Sequence, residues 1–284
     1  MSYQKNSCIA VTVMLCFIMC LTKSNDTLAH ENDTRNTQGL HFAHPLITES
    51  PSPDTKIRLD YFFLNDVTEE HEDGEVEIHS ESTIRLEAEY AFNRNVSIEL
   101  DVPYTFIDPE DGSSENHFNN IDIGLKLASF IFEQYGLLLG GGIEFGLPTG
   151  DDKEDIGSDH ILDIEPFLSM GYKYDKLEFV SFLSLGFPVN QDDDEDESDE
   201  FGYNASLLYH LGDSLQVLVE IDGEVALNGE EDGESVLNID PGIKIKPFSN
   251  KDIAIGFGAG FPVTEDESFD YRLIGSLFYH FPYK

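Results

Sequence analysis

From about residue 56 the chain alternates apolar and polar residues with a period of two. Residues 84–92 read Ile84-Arg85-Leu86-Glu87-Ala88-Glu89-Tyr90-Ala91-Phe92, and residues 96–106 read Val96-Ser97-Ile98-Glu99-Leu100-Asp101-Val102-Pro103-Tyr104-Thr105-Phe106. Successive side chains of a β-strand point to opposite faces, so such segments present one apolar and one polar face. The pattern runs to the C-terminus with no convincing helical period between its segments. One arrangement that uses it throughout is a closed antiparallel barrel in a membrane. Its outer face meets lipid, its inner face is polar, and closure leaves no strand edge unpaired.

The breaks in the alternation are as informative as the strands. Tight turns such as Asn93-Arg94, Tyr174-Asp175-Lys176, Gly212-Asp213 and Ser249-Asn250 alternate with longer acidic loops such as Asp151–Asp155, Asp192–Glu197 and Glu265–Glu267. About twelve strands result, with short periplasmic turns at one end and long outer loops at the other. The expected strands begin at 56–65, 80–92 and 95–106, separated from the next at about 120–131 by a loop holding Asp108, Glu110, Asp111 and Glu115. Hairpins recur to one plan: Ile121-Asp122-Ile123-Gly124-Leu125-Lys126 returns as Ile239-Asp240-Pro241-Gly242-Ile243-Lys244. Strand ends at Pro103, Pro148, Pro188 and Pro262 suit a residue that cannot donate to a ladder. Tyr104, Phe106, Phe187, Phe261, Tyr279 and Phe281 sit near strand ends on the apolar parity, as aromatics at a bilayer interface do.

The N-terminus reads as an export signal. Lys5 precedes an apolar run from Cys8 to Leu21, and Thr27-Leu28-Ala29 offers a small-residue cleavage site, so residues 1–29 form a signal peptide. Cys8, Cys16 and Cys20 all lie in it, which leaves the mature chain without thiol or disulfide chemistry. Residues 30–55, with Pro45, Pro51 and Pro53, read as an extended periplasmic lead-in. Residues 56–284 are the barrel. Outside the N-terminus no apolar run reaches the ~18 residues of a membrane-spanning helix.

The net charge of −40, from 56 acidic and 16 basic residues, argues against nucleic acid, whose phosphates need basic patches. Parity places Arg58, Arg85, Glu87, Glu89, Glu99, Asp101 and Asp122 on the inner face of the first strands. It does the same for Lys126, Glu144, Asp163, Glu165, Asp240, Lys244 and Arg272 further on. These are the candidate lumen-lining residues, able to set selectivity in a narrow wet channel or to pair off and fill the barrel. Strand glycines and the inward Phe182 and Leu208 are consistent with a plugged lumen, so open and closed interiors both stand.

His41-Phe42-Ala43-His44-Pro45-Leu46-Ile47-Thr48-Glu49-Ser50-Pro51 before the first strand, the Ile-Asp-x-Gly-x-Lys hairpin starts, and Gly146-Leu147-Pro148-Thr149-Gly150-Asp151 before an outer loop carry a resemblance. Over roughly residues 41–284 the chain resembles the bacterial outer-membrane barrels of the meta-pathway of phenol degradation family, often described as transporters. The resemblance implies a barrel in the cell outer membrane that passes small solutes, aromatic ones among them. The chain departs from common barrel practice at its end, where Phe281 is followed by Pro282, Tyr283 and Lys284.

No catalytic motif is present: there is no nucleophile elbow, phosphate loop or His-Glu-x-x-His. We therefore expect neither an enzyme nor a cofactor. Asp192, Asp193, Asp194 and Asp196 offer hard oxygen ligands for divalent cations, without the ordered spacing of an EF-hand. Such a loop could bridge through cations to neighbouring lipopolysaccharide. His41 and His44 alone supply too few ligands for a metal site. The expected partners are outer-membrane lipid and lipopolysaccharide, small solutes and divalent cations. The expected function is passage of small solutes with a cation bias. The alternative is a non-transporting surface barrel whose acidic loops bind cations.

Overall fold

A computed structural model describes residues 39–281 except 72–73, 110–113, 152–155, 192–197, 230–231, 249–251 and 265–268, and within 68–78 it describes the backbone only. The expected signal peptide and the Asp192, Asp193, Asp194 and Asp196 cluster fall outside the described residues.

The strands are β1 (Lys56–His71), β2 (Gly74–Asn93), β3 (Val96–Pro109), β4 (Glu115–Phe118), β5 (Ile121–Phe132), β6 (Leu137–Leu147) and β7 (Leu162–Tyr174). They continue as β8 (Leu177–Val189), β9 (Glu200–His210), β10 (Leu215–Ala226), β11 (Ser235–Ile245), β12 (Ile253–Pro262) and β13 (Tyr271–His280). Sequence neighbours pair antiparallel, and β1 pairs with both β2 and β13, from Lys56↔His280 to Asn65↔Tyr271, which closes the sheet. β4 and β5 are two halves of one wall strand: Tyr104–Ile107 of β3 pair with β4, while Val96–Asp101 pair with β5. The pairing lapses beside Pro103, which has no N–H to give; its carbonyl instead accepts from Asn119 N at 3.2 Å. The wall therefore has 12 strands, as the alternation predicts.

Parity is obeyed on the first strand and on those that follow. Lys56, Arg58 and Asp60 are at most 1% exposed, whereas Ile57, Leu59 and Tyr61 between them are above 40%. Exposed apolar residues such as Leu86, Leu125, Leu168, Leu183, Val219 and Leu277 form an outward belt, flanked by exposed Tyr90, Phe130, Tyr174 and Tyr209 on one side and Phe106, Phe118 and Phe261 on the other. A soluble protein would bury such surface; a bilayer supplies the apolar solvent it needs. This is an outer-membrane barrel. The turns β2–β3, β5–β6, β7–β8, β9–β10 and β11–β12 gather at the end where β1 begins and β13 finishes, the periplasmic end by the short-turn rule. The β5–β6 turn is a single 3-10 turn over Glu133–Tyr135, closed by Gly136 at φ +62°, a left-handed conformation that favours glycine.

Three features differ from the sequence expectation. The β1–β2 ladder runs on to His71↔Gly74, where an acidic loop was expected after Asn65. Glu115 lies in β4 rather than in a loop. Most consequential, residues 39–55 do not extend away from the barrel but fold inside it. Phe42, His44, Leu46, Thr48, Ser50, Ser52 and Asp54 are all at most 2% exposed. One buried cluster joins Phe42 and Leu46 from this segment to wall residues that include Leu138, Val180, Leu208, Leu218 and Phe278.

Candidate functional site: a charged lumen with an inner plug

The segment 39–55 makes a loop that leaves the periplasmic rim, crosses the lumen and returns to become β1. Glycines on the inner wall make room for it. Phe42 packs over Gly171, where a Cβ would meet the ring at 2.7 Å, and Leu46 packs over Gly242, Gly256 and Gly258. The loop adds no strand to the wall, so its backbone groups need other partners. Wall side chains provide them. Glu220 on β10 accepts from the backbone N–H groups of Leu46 (2.7 Å), Ile47 (3.2 Å) and Thr48 (2.9 Å). Glu178 on β8 accepts from Ala43 N at 2.8 Å and also contacts His210 at 2.8 Å and Lys173 at 2.7 Å. Arg58 donates to the Leu46 carbonyl and Lys244 to the His44 carbonyl.

The predicted inner-face residues sort into two groups around this plug. In the first, cations and carboxylates pair in a buried network. Lys56 bonds Glu87 and lies 3.0 Å from Glu89; Arg58 lies 2.8 Å from Asp60 and 3.5 Å from Glu87. Lys126 lies 2.9 Å from Glu49 of the plug, 3.0 Å from Glu99 and 3.5 Å from Glu89. Arg272 holds Asp240 at 2.7 Å and also bonds Asp222. Lys244 stands 3.7 Å from the centroid of the Phe278 ring, with Arg58 at 4.8 Å from the same ring. Buried charges need such partners, because an unpaired ion in a dry interior costs several kcal/mol (~3–5 when one member is removed). The second group faces an outward-opening chamber of about 410 Å³, whose floor is Ile47 and Glu49 of the plug. Its walls carry Asp101, Asp122, Glu144, Asp163 and Glu165, with Arg85 alone among the predicted residues bringing positive charge. Arg85 is committed to Asp60 at 3.0 Å. Glu200 extends the acidic wall; it was not singled out from sequence because it opens β9 beside an acidic loop.

Two groups among the described residues bring metal-type ligands together. Glu49, Glu87 and Glu99 converge, but the Lys56 and Lys126 ammonium groups already occupy the space between them. His41, His44 and Asp54 converge at the periplasmic base of the plug. Burial and the Lys56 ammonium hold the His44 imidazole well below its ordinary pKa, hence neutral. Burial alone would raise the Asp54 carboxyl; the His280 N–H and the neighbouring His44 and His41 rings outweigh it, and it stays ionised. On the exposed upper ribbon Ser82 bonds Tyr61 at 3.1 Å, while His79 faces Asp66 at 3.7 Å.

Solved structures resemble this barrel. An outer membrane channel from Pseudomonas putida F1 shares 12% identity at a TM-score of 0.64, covering 84% of this chain and 100% of that one. The KdgM porin, solved in complex with disordered oligogalacturonate, shares 10% identity at a TM-score of 0.54, covering 80% and 99%. The NanC porin shares 10% identity at a TM-score of 0.52, covering 80% and 98%. At such identities the likeness speaks to the fold alone. No curated protein sequence matches the chain. The family model described as "Putative MetA-pathway of phenol degradation" matches residues 71–274, the greater part of the barrel, and the chain belongs to that family.

Proposed function

We propose that this barrel passes small solutes across the outer membrane, with the 39–55 segment as its gate and the acidic chamber as its entry filter. The observation that carries the reading is the chamber itself: about 410 Å³ of space on the outer side, walled by carboxylates and floored by the plug. Fixed charges of one sign in a narrow, low-dielectric mouth raise the local concentration of the opposite charge. The filter therefore favours cations and amine-bearing solutes over anions. Aromatic solutes, which the family resemblance suggests, fit the same space through Phe182, whose ring lines the chamber and stacks on Phe167 at 4.8 Å between centroids. The plug is held by side chains rather than by strand pairing, so it can shift without opening the wall.

Recordings from the folded protein in planar bilayers under a salt gradient test this. The expected result is a conductance with a cation-selective reversal potential that moves toward zero in an Asp122→Asn/Asp163→Asn/Glu165→Gln variant. An anion-selective pore, or no conductance at any voltage, would defeat the proposal. The filled lower lumen favours a second reading, a permanently closed surface barrel, and silence in the same recordings would support it.

A further inference from the structure

The plug's two legs meet at a cluster that neither the wall nor the chamber requires. His41 and His44 lie on the ingoing leg and Asp54 on the returning leg, and their donor atoms all fall within 4.8 Å of one another. His41 Nε2 is 3.7 Å and His44 Nε2 is 3.4 Å from Asp54 Oδ2. His280, the last residue of β13, places Nδ1 2.7 Å from the same oxygen. Three imidazoles thus surround one carboxylate oxygen, with ring centroids 6.1 Å apart for His41–His44 and 5.5 Å for His44–His280.

We propose that His41, His44 and Asp54 form a binding site for a divalent transition-metal ion of the zinc class, which staples the two legs of the plug together. Ligand atoms about 2.0–2.1 Å from a tetrahedral zinc lie roughly 3.3–3.5 Å from each other. The His44–Asp54 spacing of 3.4 Å matches that edge, and His41 at 3.7 Å needs only a small side-chain adjustment. A second observation also points to a ligand: His44 is 2% exposed, yet its Nε2 makes no hydrogen bond and is aimed at this carboxylate. Leaving a buried polar atom without a hydrogen bond is unfavourable, and coordination would remove that penalty. His280 supplies the hydrogen bond that ligating carboxylates ordinarily receive from outside the coordination sphere, leaving the fourth position to water. Two imidazoles and one carboxylate suit zinc-class metals better than Ca²⁺ or Mg²⁺, which take all-oxygen shells.

The test uses untagged, full-length, folded barrel, stripped with chelator, exposed to ZnCl₂ and desalted before metal analysis. The expected result is one Zn²⁺ retained per chain, with Ca²⁺ not retained in a parallel sample. His44→Ala should lose the metal. Asp54→Asn preserves side-chain shape and should weaken zinc binding at least about tenfold, the scale of altered ligand shells. His79→Ala, at an exposed histidine away from the plug, should retain zinc as wild type does. Co²⁺ in place of zinc should give visible bands of tetrahedral type that vanish in His44→Ala. Heat-modifiable gel migration confirms that each variant is folded. Failure of the wild type to retain zinc, or retention by either ligand variant equal to wild type, would overturn the site. Channel conductance plays no part in these readouts, so the result stands apart from the proposal on transport.

Discussion

Replacing Glu220 with alanine removes the carboxylate on which the innermost turn of the plug hangs. Three backbone N–H groups converge on it, at 2.7, 3.2 and 2.9 Å, and Glu220 itself is wholly buried. A hydrogen bond to a charged group contributes about 1.5–3 kcal/mol net, so the two short bonds alone account for roughly 3–6 kcal/mol. Burying the carboxylate has its own cost, which truncation relieves, so the lower figure is the better expectation. At ~3 kcal/mol the released plug becomes on the order of a hundredfold more populated, since each 1.4 kcal/mol is tenfold. Amide hydrogen exchange reads this directly. Protection at Leu46 and Thr48 should fall about a hundredfold, while Val180 in β8 keeps its wild-type protection. Glu220→Gln keeps one acceptor oxygen and should fall between the two. Wild-type protection at Leu46 and Thr48 in Glu220→Ala would refute the view that this carboxylate anchors the plug.

Burial alone would raise the Glu49 carboxyl, but Lys126 at 2.9 Å, with Lys56 beyond it, holds it well below its usual range. A depressed carboxylate contributes stability above its unfolded pKa of about 4.5 and loses it as pH falls toward the folded value. Wild type should therefore exceed Glu49→Gln in thermal stability at neutral pH, and the gap should close below about pH 4; a gap unchanged across that range would count against the pairing. Gly171→Val would drive a side chain into the Phe42 ring, so exchange at Phe42 and Ala43 should rise, with plug protection left intact as the contrary result. Leu168 is 67% exposed midway along β7, and Leu168→Arg should cost about 2–4 kcal/mol in urea unfolding from lipid vesicles; a cost near zero would place it outside the bilayer core.

The wall was legible in the sequence because lipid on one face and a wet interior on the other force a choice at every residue. Ile57 and Leu59 alternate with Lys56 and Arg58 for that reason, and one slip in register would put charge into lipid. The inner ends of the long loops were less legible. The upper β1–β2 ribbon, with Glu69, Glu70 and Glu75, pairs beyond the apolar belt, where alternation no longer has to mark lipid. The plug was missed because no bilayer patterns it. Its even-numbered residues Phe42, His44, Leu46, Thr48, Ser50, Ser52 and Asp54 are buried, but they mix aromatic, hydroxyl and charged groups that mark no apolar face. Its trace lay on the wall, in inward glycines such as Gly171, Gly242 and Gly256 that leave space for another segment. The histidine cluster was half visible: His41 and His44 lie three residues apart in sequence, while Asp54 joins them through the turn of the plug and His280 through barrel closure.

The plug touches Lys126 on β5, Glu178 on β8, Glu220 on β10, Lys244 on β11 and His280 on β13, yet the wall strand it runs into is β1. Those wall charges face inward whether or not the segment is present. An empty barrel would have to fold with several of them facing water instead of their plug partners. The β1–β13 seam, where the first and last strands meet, would then close over a lumen lacking the groups that compensate it. The proposed gate would then also be a folding template: it is joined to the first strand and gives later strands something to close around. Truncating residues 39–55 should slow refolding of the purified barrel as well as change what passes through it, and equal refolding rates would separate the two roles.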